Sequence, residues 1–397
     1  MSPDLPFDII TLIIDIVGEN KDRNLLKELA LVSHSFLQIC SKHLYATVEL
    51  HDANFELASS KRGFIKLLKS RPDVVKHIRD LLYHVGYNIN DDDHQLSLVL
   101  LRFLPTFSRL NSLTIIASYQ NWTTLNSSLK SAFLHLMHLP TINHIDLSFI
   151  QDFQLSSLTL SVNLHRLDIF HVKCLRPLVE NSPEILMEMM PKIREFHTIN
   201  SSLVTTKLLL ARTQDGRPAF NLMDLRRVTM SFNVSEDERN IRHILQNAKL
   251  LEKVDLSVFG TRSLVGILSL SPLTLKVLHL SVDLHNREPV PLGGRLGGLC
   301  EELEALAGHN MLEALSFALT VDGNETEDSI GYVMQKVEKV LVKPGWSALK
   351  QVSLKVSIAS SENSVKLCEA LQSLPDKYLS HLSKLESIAF NYSAYRL

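Results

Sequence analysis

Apolar residues along this chain recur in a three-point pattern, apolar-x-x-apolar-x-apolar, from residue 78 to residue 390. It stands at Ile78/Leu81/Tyr83, Leu110/Leu113/Ile115, Ile142/Ile145/Leu147, Leu164/Leu167/Ile169 and Leu225/Val228/Met230. It returns at Leu251/Val254/Leu256, Leu275/Leu278/Leu280, Leu312/Leu315/Phe317, Leu349/Val352/Leu354 and Leu385/Ile388/Phe390. A weaker copy, Ile193/Phe196, ends on the polar Thr198. About five matches would arise by chance in so apolar a chain, so spacing and flanking residues carry the argument. Successive starts lie 22 to 37 residues apart, the span of helix-plus-strand repeats. Pro72, Pro105, Pro140, Pro191, Pro272 and Pro344 each stand within six residues upstream of a start. Proline stops a helix and biases its predecessor towards extended backbone. Each unit therefore reads helix, stop, strand.

Between the copies, residues 96–104, 125–137, 236–248 and 328–342 are amphipathic or apolar at helical spacing. In the strands, Leu278, Leu280, Val282 and Leu284 alternate with His279, Ser281 and Asp283, and Val352, Leu354, Val356 and Ile358 do likewise. One strand and one helix per unit, stacked about eleven times, predict an α/β fold. A curved parallel sheet would lie inside and the bulkier helices outside.

The first fifty residues have a different texture. Ile9, Ile10, Ile13, Ile14 and Val17 fall on one predicted helical stripe, with Pro6 suited to the first turn and Gly18 to the position just past the end. Asp22 or Asn24 can cap a second helix running to Leu31. Ser33 can cap a third, which presents Phe36, Cys40 and Leu44 at four-residue intervals. Three short helices seldom supply enough core to stand alone. A partner, or the rest of the chain, must cover the remainder. Residues 1–50 and 51–397 are accordingly expected to be separate modules.

This opening resembles an F-box, and more narrowly that of the large fungal F-box families. Leu5-Pro6, Ile9/Ile13, the run Leu29-Ala30-Leu31-Val32-Ser33, Phe36 and Leu44-Tyr45 carry the resemblance. Phe36 stands where many members have Trp, and Gly18–Asn24 is slightly long and polar. The remainder is similar to an irregular leucine-rich-repeat array. Except in the last copy, where Asn391 follows Phe390, it lacks the Asn that normally follows the third apolar position, and Ser148, Ser231, Ser257 and Ser281 stand there instead. The resemblance implies docking onto the Skp-type adaptor of a cullin–RING ubiquitin ligase. Leu5, Pro6, Ile9, Ile13, Leu29, Leu31, Val32, Phe36 and Leu44 would form the module and its adaptor face. The repeat face would hold a target protein.

With 41 Lys+Arg against 43 Asp+Glu, net charge is −2, and no nucleic-acid footprint is expected. Cys40, Cys174, Cys300 and Cys368 form no CxxC pair, so free thiols in a reducing compartment are expected. The first apolar run follows no Lys or Arg and is broken by Asp8 and Asp15, a poor signal peptide. No stretch reaches about 18 apolar residues. A cytoplasmic or nuclear location follows, without membrane insertion.

No nucleophile elbow, P-loop or HExxH occurs. The glycine-rich run at 293–298 reads as a loop, His135 and His138 as packing or surface residues, and Asp91-Asp92-Asp93-His94 as a solvated loop capping a helix. Glu236-Asp237-Glu238 suits a helix start. No catalytic residue, cofactor or metal is expected. The reading is therefore a substrate-recognition subunit of an SCF-type ligase. The alternatives are a repeat scaffold without a link to ubiquitin, an unrelated α/β domain pair, and an enzyme whose site assembles from distant residues.

Overall fold

In the computed structural model, the described residues are 6–51, 59–86, 91–174, 190–259, 264–270, 273–284, 298–308, 311–359 and 364–397. Leu5, Pro272, Pro289, Pro291 and residues 293–297 of the glycine-rich run lie outside them. The chain divides into two compact units, Met1–Pro191 and Lys192–Leu397.

The first unit opens with helices α1 (Phe7–Glu19), α2 (Arg23–Ala30) and α3 (His34–Leu44). Strand β1 (Thr47–His51), β2 (Ser59–Ser60), α4 (Lys61–Ser70), β3 (Asp80–His84), α5 (Asp91–Phe103) and β4 (Ser112–Asn121) follow. Then come α6 (Ser127–Met137), β5 (His144–Gln151), a 3-10 segment (Leu155–Leu160) and β6 (Arg166–Phe170). The described strands pair in the order β6-β5-β4-β3-β1-β2, each pair parallel. The sheet thus begins at Thr47, within the last residues of the three-helix region.

Period-two alternation decides which face is buried. Val48, Leu81, Leu113, Ile145 and Leu167 share one register row, and Leu50, Tyr83, Ile115, Leu147 and Ile169 the next. All ten are buried. They face the helices: the Tyr83 ring meets Phe133 of α6 edge-on at 5.0 Å, and Trp122 stacks on Phe133 at 6.3 Å. Before each strand the residue after the first apolar position carries the backbone ladder onward. Asn111 and Ser112 donate to the Arg79 carbonyl, Asn143 to that of Asn111, and His165 to that of Asn143.

The acidic run at 91–94 departs from expectation. Asp91 opens α5, and Asp93 is not solvated but fully buried. It accepts from Lys61 Nζ at 2.6 Å, itself 2 % exposed, and from the Tyr83 hydroxyl. The approach of α4 to β3 and α5 creates this pair, which sequence spacing cannot display.

The second unit comprises β7 (Glu195–Ile199), α7 (Ser202–Leu210), β8 (Arg227–Phe232), α8 (Ser235–Asn247), β9 (Lys253–Phe259) and β10 (Val277–Asp283). It continues with α9 (Leu299–Leu306), β11 (Ala314–Val321), α10 (Glu327–Leu341), β12 (Gln351–Ile358), α11 (Ser364–Leu371), α12 (Leu374–Tyr378) and β13 (Ala389–Arg396). Strands β7 to β13 pair in chain order, all parallel. Phe196, Val228, Val254, Leu278, Leu315, Val352 and Phe390 occupy one row. All eleven copies of the apolar pattern therefore lie on strands β3 to β13 or their entries, an α/β leucine-rich-repeat-like fold.

Acidic and hydroxyl side chains hold the turns between strands and helices. Ser231 Oγ accepts from the Asn200 amide at 2.8 Å. Asp237 accepts from the amides of Asn233 and Val234 at 2.9 and 3.1 Å, so the Glu236–Glu238 run does open a helix and caps it. Buried Glu302 of α9 accepts from the Gly266 and Ser269 amides, and buried Glu338 of α10 from those of His381 and Leu382. Charged acceptors make the stronger hydrogen bonds, so these turns are fixed despite their irregular lengths.

Asp146 of β5 shows the cost of placing acids on a sheet. Burial, and then the charge of Asp168, push its carboxyl up to about 6, although Ser148 Oγ donates to it at 2.8 Å. An unfolded Asp ionises near its ordinary value of 3.8. Between these values the unfolded chain releases a proton that the folded chain keeps, so stability falls as pH rises from about 4 to 6 and then levels. Asp146→Asn is expected to stabilise the protein by about 1–3 kcal/mol above pH 6.5 and to be neutral near pH 4. Denaturant midpoints at the two pH values check this; an Asn variant no more stable than the parent at pH 7.5 would contradict it.

Candidate protein-docking surface on the N-terminal helices

Local chemistry sets the helix boundaries. Pro6 precedes α1, and the Ile9 and Ile10 amides bond to its carbonyl. Asp22 caps α2 by accepting from the Leu25 amide at 3.1 Å, and Ser33 caps α3 by accepting from Phe36 at 3.3 Å. Gly18 does not sit past the end of α1 as expected. It lies inside the last turn, where a Cβ would come within 2.2 Å of the His43 ring. Its role is close approach of α1 to α3, and the left-handed residue of this turn is Lys21, with φ 57°.

Beside it, Asp15 accepts from Lys42 Nζ at 2.6 Å and pairs with His43 Nε2 at 2.7 Å. The Lys42 hydrogen bond, ahead of His43, holds the Asp15 carboxyl below its usual range. These contacts tie α1 to α3, and Arg23 Nη2 donates to the Leu44 carbonyl at 3.2 Å to tie in α2.

Ile14, Leu26, Ile39 and Cys40 form the small core of the three helices. Ile10, Val17, Leu29, Ala30, Phe36 and Leu44 pack against it, half-buried. The expected single stripe on α1 is in fact two. Ile10, Ile14 and Val17 face the core, whereas Ile9, Leu12, Ile13 and Ile16 are 43–56 % exposed. The outer four stand at i, i+3, i+4 and i+7, one continuous face of a helix. At the end of α2, Leu31 is 88 % and Val32 65 % exposed, and Phe7 is 56 % exposed. A helix apolar on two faces needs two surfaces to cover it, and the rest of the described chain covers one.

Of the residues singled out from sequence, Pro6, Ile9, Ile13, Leu31 and Val32 are exposed. Leu29, Phe36 and Leu44 support the core from inside, and Leu5 lies outside the described residues. Sequence reading missed Phe7, Leu12 and Ile16. The second i, i+3, i+4, i+7 series was there to be found, but it merges with the first in a run of isoleucines.

The other candidates resolve as structure. His135 Nδ1 pairs with the Ser131 carbonyl and His138 Nε2 with that of Ser157. Elsewhere, exposed Arg226 and Arg227 pair with Glu252 and Glu195, and Lys253 and His279 with Asp255. All four cysteines are free, with Cys40 buried and its thiol pushed up by desolvation. Among the described residues no group of three or more His, Cys, Asp or Glu side chains is placed to hold a metal, and no helix is long and apolar enough to cross a membrane.

No protein-family model and no curated protein matches the chain. Among solved structures it is similar to an internalin (inlF) from Listeria monocytogenes, at a TM-score of 0.31 and 10 % identity over 84 % of this chain and 89 % of that one.

Proposed function

We propose that the chain is a leucine-rich-repeat-like protein-interaction scaffold acting as the substrate-recognition subunit of an SCF-type ubiquitin ligase. The N-terminal helices, roughly residues 1–50, dock as an F-box onto the Skp-type adaptor and through it onto a cullin–RING assembly. Residues 51–397 hold a target protein. One observation carries the reading: Ile9, Leu12, Ile13 and Ile16 form an outward apolar face on α1, and Leu31 and Val32 stand exposed at the end of α2. Helix-in-groove partners engage anchors at this spacing. Contiguous apolar patches of this kind mark interaction sites.

The mechanism is proximity. Adaptor and target on one chain turn ubiquitin transfer into a reaction at raised effective concentration, with the bond chemistry in other subunits and none assigned to this one. Such a ligase operates in the cytoplasm or nucleus, which suits four free thiols.

Co-expression of the full chain with a Skp-type adaptor, followed by size-exclusion chromatography, tests the proposal. The two are expected to co-elute as a 1:1 complex at micromolar concentration or below. Elution of a folded chain apart from the adaptor would sink the ligase assignment and leave the scaffold without ubiquitin.

A further inference from the structure

A second surface lies at the ends of strands β4, β5 and β6. Between Ile116, opposite Ser148, and Gln120, opposite Ile150, strand β4 carries two residues more than β5. Within and beside this bulge, Ser118 (φ 45°), Tyr119 (φ 64°), Phe149 (φ 56°) and His171 (φ 52°) all adopt left-handed backbone. Side chains of this bulk seldom take it, and such outliers cluster where a ligand is clamped. Here three strands in succession use it at one level of the sheet.

The result is an aromatic shelf. Phe149 meets Tyr119 edge-on at 5.2 Å, and His171 lies flat on Phe149 at 4.7 Å with 7° between the rings. Tyr119 is 42 % exposed. The exposed Lys173 holds its ammonium 4.9 Å from the Tyr119 ring, so that ring already accepts a cation.

The neighbouring open face of β3 to β6 is acidic. Asp80 and Asp146 lie half-buried on it, and Asp168, buried beneath, is held by a forked pair with Arg166 at 2.8–3.1 Å and by His144 Nε2 at 3.0 Å. Asp146 and Asp168 stand opposite each other in register. Ile116 and Phe170, half-buried in one row on either side of Ser148, add apolar surface. Phosphate would be repelled; a cation with an apolar neighbour would not.

We propose that the Tyr119–Phe149–His171 shelf is a peptide-reading site for an extended segment carrying arginine or lysine beside an apolar residue, with the incoming cation displacing Lys173 from the Tyr119 ring. It rests on the ligase reading only in making that segment part of the target. The acidic face steers the segment in, and the rings grip cation and apolar side chain together.

A random dodecapeptide phage library, panned on the full-length chain, tests this. The expected consensus places Arg or Lys within two residues of Leu, Ile, Phe or Met. Affinity for the selected peptide should fall at least tenfold in Tyr119→Leu, an exposed position that keeps apolar bulk and loses the ring, and in Phe149→Ala. It should rise severalfold in Lys173→Ala. An acidic consensus, no consensus, or a selected peptide indifferent to Tyr119→Leu would overturn the proposal. Measuring adaptor co-elution on the same preparations separates the two readings. Basic-peptide selection without adaptor capture would leave the shelf standing and remove the ligase. Adaptor capture without such selection would do the reverse.

Discussion

A chain carrying Ile13→Asp and Leu31→Asp is expected to lose Skp-type adaptor capture while keeping its fold. Both side chains are exposed, at 46 and 88 %, so neither carboxylate enters a core. Each would sit unpaired among the apolar side chains of the proposed interface. Truncating a hot-spot anchor costs about 2 kcal/mol or more, about 30-fold in affinity, and a buried unpaired charge costs more than truncation. The double variant should therefore bind at least 100-fold more weakly by calorimetry. Leu29→Asp is the instructive contrast. Leu29 packs against Ile14, Leu26, Ile39 and Cys40, so its loss of capture would come with loss of helicity. Full-strength capture by a folded Ile13→Asp/Leu31→Asp chain would place the docking surface elsewhere.

Lys61→Ala is expected to be the most destabilising single change in the first unit, by about 3–5 kcal/mol. It would remove the ammonium that lies 2.6 Å from Asp93, a carboxylate with no exposure, and leave the Tyr83 hydroxyl donating to it. The favourable part of a buried ion pair is small, because desolvation offsets most of the attraction; breaking one half is what costs. A shape-matched apolar replacement, Lys61→Met with Asp93→Leu, should recover most of the loss. Urea unfolding of the three chains distinguishes the cases. If Lys61→Ala cost less than about 1 kcal/mol, the pair would be solvated in solution, contrary to the structure.

Much of the fold was legible because a strand's side-chain period is two and the buried face has nowhere else to go. Leu278/Leu280/Val282 and Val352/Leu354/Val356 announce their strands from residue type alone, and proline marks where helices stop. Capping by Ser33 was equally readable, since it needs only a short polar side chain three residues ahead of an amide, whereas for α2 the sequence left Asp22 and Asn24 open. What was not readable depends on contacts distant in sequence. Asp93 resembles a solvated acid until Lys61 arrives from α4. Gly18 resembles a helix terminator until the His43 ring shows why no side chain fits. Strand β1 has only five residues and is defined by the Asp80–Tyr83 segment it pairs with. For the docking surface, sequence supplied the isoleucines of α1 but could not apportion them. Once α3 claims Ile10, Ile14 and Val17, the outward set follows by subtraction.

The in-register pairing of β7 to β13 carries an evolutionary consequence. Each strand is bonded only to the strands immediately before and after it in the chain, so duplication or excision of one whole unit is a local edit that leaves every other pairing intact. Within a unit, the connecting segments can lengthen or shorten without disturbing the rows, as the uneven distances between successive starts already record. A lineage built on this plan is free to change its size and its outer contour long before it changes the order in which its strands meet.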